Sequence, residues 1–137
     1  MLHRKVQIAL LAVAVLMLTA CSGEDAADDI PPQQWNGYTV SLQTRPAPVV
    51  KGMDEFIVIV NRAGSDRPAP SEHLIVSLRV DEDQEWVQMI QDGYIGVYRR
   101  AVRVDDPLHQ TAKVQLQKGD NVGYLRFPLI APPRGPK

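Results

Sequence analysis

The segment TAKVQLQKGDNVGYLRFPLI, Thr111 to Ile130, carries the pattern that decides the fold class. In its first half the apolar residues Ala112, Val114 and Leu116 alternate with polar ones, which is the period of a β-strand with one buried face. A Gly-Asp-Asn triplet, a hairpin signal, follows, and a second strand candidate begins at Val122. The segment therefore predicts a β-hairpin that packs on a core through one face.

The same kind of pattern extends back along the chain to Trp35. Apolar and polar residues alternate in HLIVSLRVD, while EFIVIVNR is apolar almost throughout, as is typical of a strand buried on both faces. Seven strand candidates result: Tyr38–Thr44, Glu55–Arg62, His73–Asp81, Glu85–Ile90, Tyr94–Val104, Thr111–Lys118 and Val122–Ile130. No window of helical length repeats its apolar residues with a helical period.

We therefore predict an all-β fold, an immunoglobulin-like antiparallel β-sandwich of about seven strands. It would occupy residues 35–131, and a loose tail would follow at residues 132–137. For Trp86 two positions are open, either in the core between the sheets or on an exposed face as a binding aromatic.

The N-terminal residues have the composition of a secretory signal peptide, which we assign to residues 1–20. A basic start precedes an apolar run, Val6–Leu18, that is too short to span about 30 Å of hydrocarbon. The run ends in LTAC, which resembles the bacterial lipobox. That resemblance implies cleavage between Ala20 and Cys21 and attachment of lipid to the Cys21 thiol.

Residues 21–34 are predicted to form a lipidated, flexible tether. This acidic, proline-containing stretch cannot bury enough apolar surface to offset the cost of ordering it. Lipid chains would anchor the protein to one leaflet of a membrane, without a segment of the polypeptide crossing the bilayer. The residue after the cysteine is Ser22, which in a Gram-negative host implies the periplasmic face of the outer membrane. In a Gram-positive host the same motif implies the outer face of the cell membrane.

The composition argues against nucleic-acid binding and against cysteine chemistry. The chain has 15 Lys and Arg residues against 16 Asp and Glu residues, whereas a nucleic-acid-binding domain would carry a clustered basic face. Lipidation of Cys21, the only cysteine, would leave no thiol for a disulfide, a metal site or a nucleophile. The acidic clusters lie in predicted turns, and no hydrolase, zinc-protease or phosphate-loop motif is present. We predict that the chain is not an enzyme and holds no cofactor.

Four segments, GMDEFIVIV, LIVSLRV, GYIGVYRRAVRV and LRFPL, together resemble the YtkA-like and FixH-like group of small extracytoplasmic immunoglobulin-fold domains. The resemblance implies a role in membrane-oxidase assembly or copper handling, with methionine and histidine as ligands. The candidates of those types are Met53, Met89, His73 and His109. No two of them stand at a ligand spacing, so we predict no metal site. Copper handling or respiratory oxidase assembly remains the alternative function.

The segment YRRAVRV, Tyr98 to Val104, places arginines on both faces of one predicted strand. A β-bulge could turn Arg99 and Arg100 outward, whereas an inward arginine would need a carboxylate partner. The carboxylates considered for that role are Asp81, Glu82 and Asp83. Exposed arginines at this strand would discourage the addition of another strand.

Alternatively, this strand carries a docking patch. Its members would be Tyr98, Arg99, Arg100 and Arg103, since Tyr and Arg are frequent anchors of protein interfaces. The leading expectation is a lipid-anchored, non-enzymatic protein whose sandwich binds a protein partner in the cell envelope. A structural envelope protein with no dedicated site is the remaining possibility.

Overall fold

The computed structural model describes residues 30–65, 67, 73–91 and 93–131, which form two antiparallel β-sheets packed as a sandwich. The predicted all-β, immunoglobulin-like fold class is therefore confirmed. Within these residues there is no helix of the length and apolarity needed to cross a membrane. The predicted signal peptide, its cleavage site at Ala20, the lipidated Cys21, the tether up to residue 29 and the tail at 132–137 lie outside the described residues.

Nine strands build the two sheets in the described part of the chain. In chain order they are β1 (Gln33–Trp35), β2 (Tyr38–Arg45), β3 (Gly52–Arg62), β4 (Leu74–Arg79), β5 (Val87–Gln88), β6 (Ile90–Gln91), β7 (Val97–Val104), β8 (Thr111–Lys118) and β9 (Asn121–Pro128). The five-stranded sheet has the order β1-β2-β3-β7-β6, and the four-stranded sheet has the order β5-β4-β8-β9.

The core lies between the sheets and follows the alternation of the sequence. The residues expected to point inward are buried: Tyr38, Val40, Leu42, Leu74, Val76, Leu78, Val80, Ala112, Val114 and Leu116. Phe56 and Phe127 are the largest of the side chains that are fully buried. Each fully buried apolar side chain contributes about 1.5–3 kcal/mol relative to leaving it in water, so these strands cannot slip by one residue without exposing the core.

β3 is apolar on both of its faces, as predicted. Phe56, Val58 and Val60 face the core, while Ile57 and Ile59 alternate with them toward the outer face. Ile57 is nevertheless only 2% exposed. Its neighbours in the register are Gln43 and Arg99. Side chains of the outer face therefore cover a second, smaller apolar surface.

The segment Glu85–Ile90 is not the single strand that its sequence predicts. β5 pairs with β4 in one sheet, and β6 pairs with β7 in the other. The residue between them, Met89, is 3% exposed and lies in the core. Its amide donates to the carbonyl oxygen of Val76 at 2.8 Å. The chain crosses from one sheet to the other at this point, and the buried methionine fills the crossover.

β1 is the strand that the sequence analysis missed. It begins at Gln33, so the folded chain starts before the predicted boundary at residue 35. Asn36 and Gly37 join it to β2, with φ angles of 50° and 79°, as a two-residue hairpin turn requires. Trp35 packs on Gly123 of β9, where a Cβ would overlap its indole ring. The Gln33 amide donates to the carbonyl oxygen of Arg126, so β1 contacts both sheets.

Trp86 occupies the second of its two expected positions. It is partly exposed on the outer face of the four-stranded sheet and is not a member of the core cluster. The Arg79 guanidinium carbon lies 4.5 Å from its ring centroid, and its centroid is 5.9 Å from that of Tyr124.

Candidate functional site

The arginine-bearing strand β7 pairs with β3 in an unbroken register, from Gly52 opposite Val104 to Ile59 opposite Val97. This pairing contains no bulge, so the side chains of β7 alternate regularly. Val102 and Val104 are buried in the core. Arg99 and Arg103 consequently point to the outer face of the five-stranded sheet.

Tyr98 lies in the core, with 3% of its surface exposed. Its hydroxyl group has no hydrogen-bond partner within the described residues, and burial raises the pKa of Tyr98. The side chain therefore does not contribute to the surface of the predicted docking patch. The strict alternation of β7 explains this position, since Tyr98 shares its face with Val102 and Val104.

Arg99 is held on the outer face by Glu55. Its Nη1 donates to Oε1 of Glu55 at 2.8 Å. The two side chains are 28% and 39% exposed, so the ion pair is only partly screened by water. Sequence reasoning named Asp81, Glu82 and Asp83 as possible partners for an arginine of this strand. It missed Glu55 because the β3–β7 register joins residues that are far apart in the sequence.

Arg100 shares the inward register with its cross-strand partner Phe56, yet its side chain is exposed. β6 pairs only with Tyr98 and Arg99, so Arg100 lies where β7 becomes an edge strand. A long aliphatic stem lets a guanidinium group reach water from such a position. Arg103 is also exposed and pairs with Asp105 at 2.9 Å. Both positions agree with arginines that discourage strand addition at an edge.

An open groove runs beside these arginines. It is lined by Glu55, Ile90, Arg99, Arg100 and Ala101. We call this groove, together with the β6–β7 turn, the β3–β6–β7 face.

Exposed apolar side chains are present both in the groove and in the β6–β7 turn. Ile90 is 58% exposed, and the β6–β7 turn presents Tyr94 at 72% and Ile95 at 58%. Sequence reasoning placed Ile90 at the end of an ordinary strand and gave Tyr94 no separate role. The exposure of Tyr94 could have been inferred from its place between Gly93 and Gly96, because glycines so close together indicate a turn. Both glycines have positive φ angles in this turn.

The four candidate metal ligands lie on separate elements. His73 precedes β4, whose first residue pairs with Lys118, while His109 precedes Thr111 at the other end of β8. β8 has eight residues, so about 25 Å separates these two ends. Met89 is in the core, and Met53 is 65% exposed on β3. No group of three or more His, Cys, Asp or Glu in the described residues is arranged to hold a metal ion.

His109 makes a local contact instead. Its Nδ1 lies 2.8 Å from Oδ2 of Asp106, in the turn between β7 and β8. This hydrogen bond lowers the pKa of the Asp106 carboxyl group. The contact lies within a polar turn.

Comparisons with known proteins give no relative for this chain. No family model matches it, and neither a curated protein nor a solved structure does. Its resemblance to the YtkA-like and FixH-like group stays a prediction.

Proposed function

We propose that this chain is a non-enzymatic bacterial lipoprotein whose β-sandwich binds a protein partner in the cell envelope. The observation that supports the proposal is the β3–β6–β7 face, whose groove brings the exposed Ile90 together with the partly buried Glu55–Arg99 ion pair. In a Gram-negative host the anchored chain would stand on the periplasmic face of the outer membrane.

The residue types on this face are those that protein interfaces favour. Tyrosine and arginine are enriched at such interfaces, and Tyr94 and Arg100 are both exposed on this face. Scattered exposed apolar residues are normal on a protein surface. Here Ile90 lines a groove together with two arginines and a carboxylate, so apolar burial and charge recognition are available at one place.

The Glu55–Arg99 ion pair fixes the orientation of the arginine side chain. Because Glu55 holds the guanidinium group of Arg99 in one position, a partner would not have to order this side chain on binding. Binding is strengthened when such ordering costs are already met in the free protein. A carboxylate or carbonyl oxygen of the partner would approach Arg100, which no ion pair described here occupies.

The experiment is affinity capture from envelope membranes with the full-length chain and three variants, Ile90→Asp, Tyr94→Ala and Arg100→Glu. We expect each variant to reduce recovery of the partner by at least about tenfold, which corresponds to roughly 1.4 kcal/mol. Leu108→Asp is the matched control, because Leu108 is an exposed apolar residue, at 77%, in the β7–β8 turn. Capture that is unchanged in all three variants, each with wild-type thermal stability, would show that the β3–β6–β7 face is not the binding surface.

A further inference from the structure

Three cationic side chains lie side by side on the outer face of the four-stranded sheet. The register pairs Arg79 of β4 with Lys113 of β8, and Lys113 with Arg126 of β9. Trp86, against whose ring the Arg79 guanidinium packs, extends this row on the β5 side. We call the three cations, Arg79, Lys113 and Arg126, the cationic row.

Like charges directly opposite each other on neighbouring strands destabilise a sheet. Lys113 lies in the middle of the row, and its side chain is only 14% exposed. Desolvation and the charges of Arg126 and Arg79 lower the pKa of its ammonium group, and Asp81 acts in the opposite direction. The positive charges of the row are therefore close together, and the ammonium group of Lys113 is partly removed from water.

One carboxylate of the same chain contacts all three cations. Glu82, in the turn after β4, places Oε1 against Nζ of Lys113 and 3.0 Å from Nη2 of Arg126. Its Oε2 lies 3.7 Å from Nη2 of Arg79. A single negative charge cannot balance three positive ones, and Glu82 is itself 63% exposed. Glu82 thus shows which chemical group the row contacts, and Asp81, Asp105 and Asp106 line a second depression together with Lys113 and Arg126.

Aromatic and amide groups continue the face beside the row. Tyr124 is 63% exposed, and its ring is inclined by 48° to that of Trp86. The amide nitrogen of Gln115 donates to the Tyr124 hydroxyl at 3.2 Å. Trp86, Tyr124, Arg79, Lys113 and Arg126 line one shallow depression on this face. Aromatic rings that could stack on a sugar ring therefore lie next to the positive charge. So does the amide of Gln115, which could form a hydrogen bond with a sugar hydroxyl group.

We propose that this face binds an acidic oligosaccharide, with a uronic-acid carboxylate on the cationic row and a sugar ring against Tyr124. Neighbouring strands are about 4.8 Å apart, so the Cα atoms of Arg79 and Arg126 are separated by roughly 10 Å, while their guanidinium groups converge on the single carboxylate of Glu82. One uronic-acid carboxylate would therefore reach both arginines, as the carboxylate of Glu82 does. An acidic peptide would use the same cations but would have no need of the exposed ring, and this difference separates the two ligands in the test.

Glu82 acts as an internal competitor in this site. Its carboxylate occupies the donors that a ligand carboxylate would take, so ligand binding has to displace it or share its partners. Removing its negative charge by Glu82→Gln is expected to tighten binding. Charge-assisted hydrogen bonds from Arg79 and Arg126 supply the affinity, and added salt is expected to weaken it.

The test titrates the full-length chain with a short oligogalacturonide and follows heat and tryptophan fluorescence. Trp86 is one of only two tryptophans, so Trp86→Phe identifies its signal. Arg126→Gln and Tyr124→Ala are each expected to weaken binding by at least about tenfold, whereas Glu82→Gln strengthens it severalfold. Arg62→Gln, an exposed arginine at the end of β3 in the other sheet, is the control and should leave binding unchanged.

Two outcomes would overturn the proposal. One is the absence of binding by both the wild-type chain and Glu82→Gln. The other is binding of an oligoglutamate of equal charge with the same affinity and with no loss in Tyr124→Ala, which would identify the face as an acidic-peptide site. Failure of a neutral oligogalactose of the same length to bind supports the proposal.

Discussion

At the scale of single residues, some side chains are buried by contacts between segments that are far apart in the sequence. The local sequence does not indicate the burial of these residues. Asp54 is a carboxylate with only 1% of its surface exposed, and its Oδ1 accepts a hydrogen bond from the amide of Val50 at 3.2 Å. The sequence pattern predicts a strand that starts at Glu55, and it indicates no role for Asp54. Its burial depends on how the β2–β3 connection folds back, with Val49 in the core, and alternation alone does not contain that information.

Gly123 allows a residue-scale prediction. A Cβ at this position would lie 2.7 Å from Cε2 of the Trp35 indole and closer still to its Nε1. We expect Gly123→Ala to lower the free energy of unfolding by about 1–3 kcal/mol through overpacking, as measured by urea denaturation.

Trp35→Ala provides the matched background for this substitution. In that background the added methyl group has space, so the cost of Gly123→Ala should largely disappear. An equal cost in both backgrounds would mean that the backbone of β9, and not the indole ring, requires glycine.

At the scale of elements, the strands with clean alternation were predictable and the sheet crossover was not. The bounds of β8 agree with the prediction to the residue, and β2 and β9 agree to within two residues at each end. β5 and β6 could not be separated from sequence, because each has two residues and their assignment to different sheets is a tertiary property. β1 was predictable in principle from Asn36-Gly37, which is the strongest short-range hairpin signal.

Met89 gives the element-scale prediction. Truncating this buried crossover residue to alanine should cost about 2–5 kcal/mol, whereas Met89→Leu should cost less than about 1.5 kcal/mol. Chemical denaturation measures both. Met53→Ala is the control, because Met53 is 65% exposed and its truncation should change stability little. A Met89→Leu variant as unstable as Met89→Ala would contradict a packing role and favour a requirement for the thioether.

At the scale of the whole molecule, the two surfaces proposed for binding lie on the outer faces of opposite sheets. The arginines of β7 were recognisable in the sequence, but the pairing of Arg99 with Glu55 and the exposure of Ile90 were not. The cationic row was invisible for the same reason, since Arg79, Lys113 and Arg126 become neighbours only through the β4–β8–β9 register. Local patterns specify which strands form, whereas binding surfaces depend on pairing between distant strands.

The lipid anchor is a prediction for the whole chain. Cys21→Ser removes the thiol to which the lipid would attach, so the variant should fail to incorporate a labelled fatty acid in cells and should retain residues 1–20, since the resemblance to a lipobox implies that cleavage follows lipidation. Ser22→Ala is the matched control and should incorporate label and lose residues 1–20 like the wild type. Labelling and removal of residues 1–20 that persist in Cys21→Ser would show that the chain is processed and held by another means.

The contacts of β1 have a mechanical consequence. Tension applied at Ile30 reaches β1 first, and its three backbone pairs with β2 transmit the pull to the five-stranded sheet. Trp35 against Gly123 and Gln33 on Arg126 transmit part of the same pull to β9. A force along the N-terminal segment is therefore shared between both halves of the sandwich, and detaching this short strand would be the first step by which a stretched molecule yields.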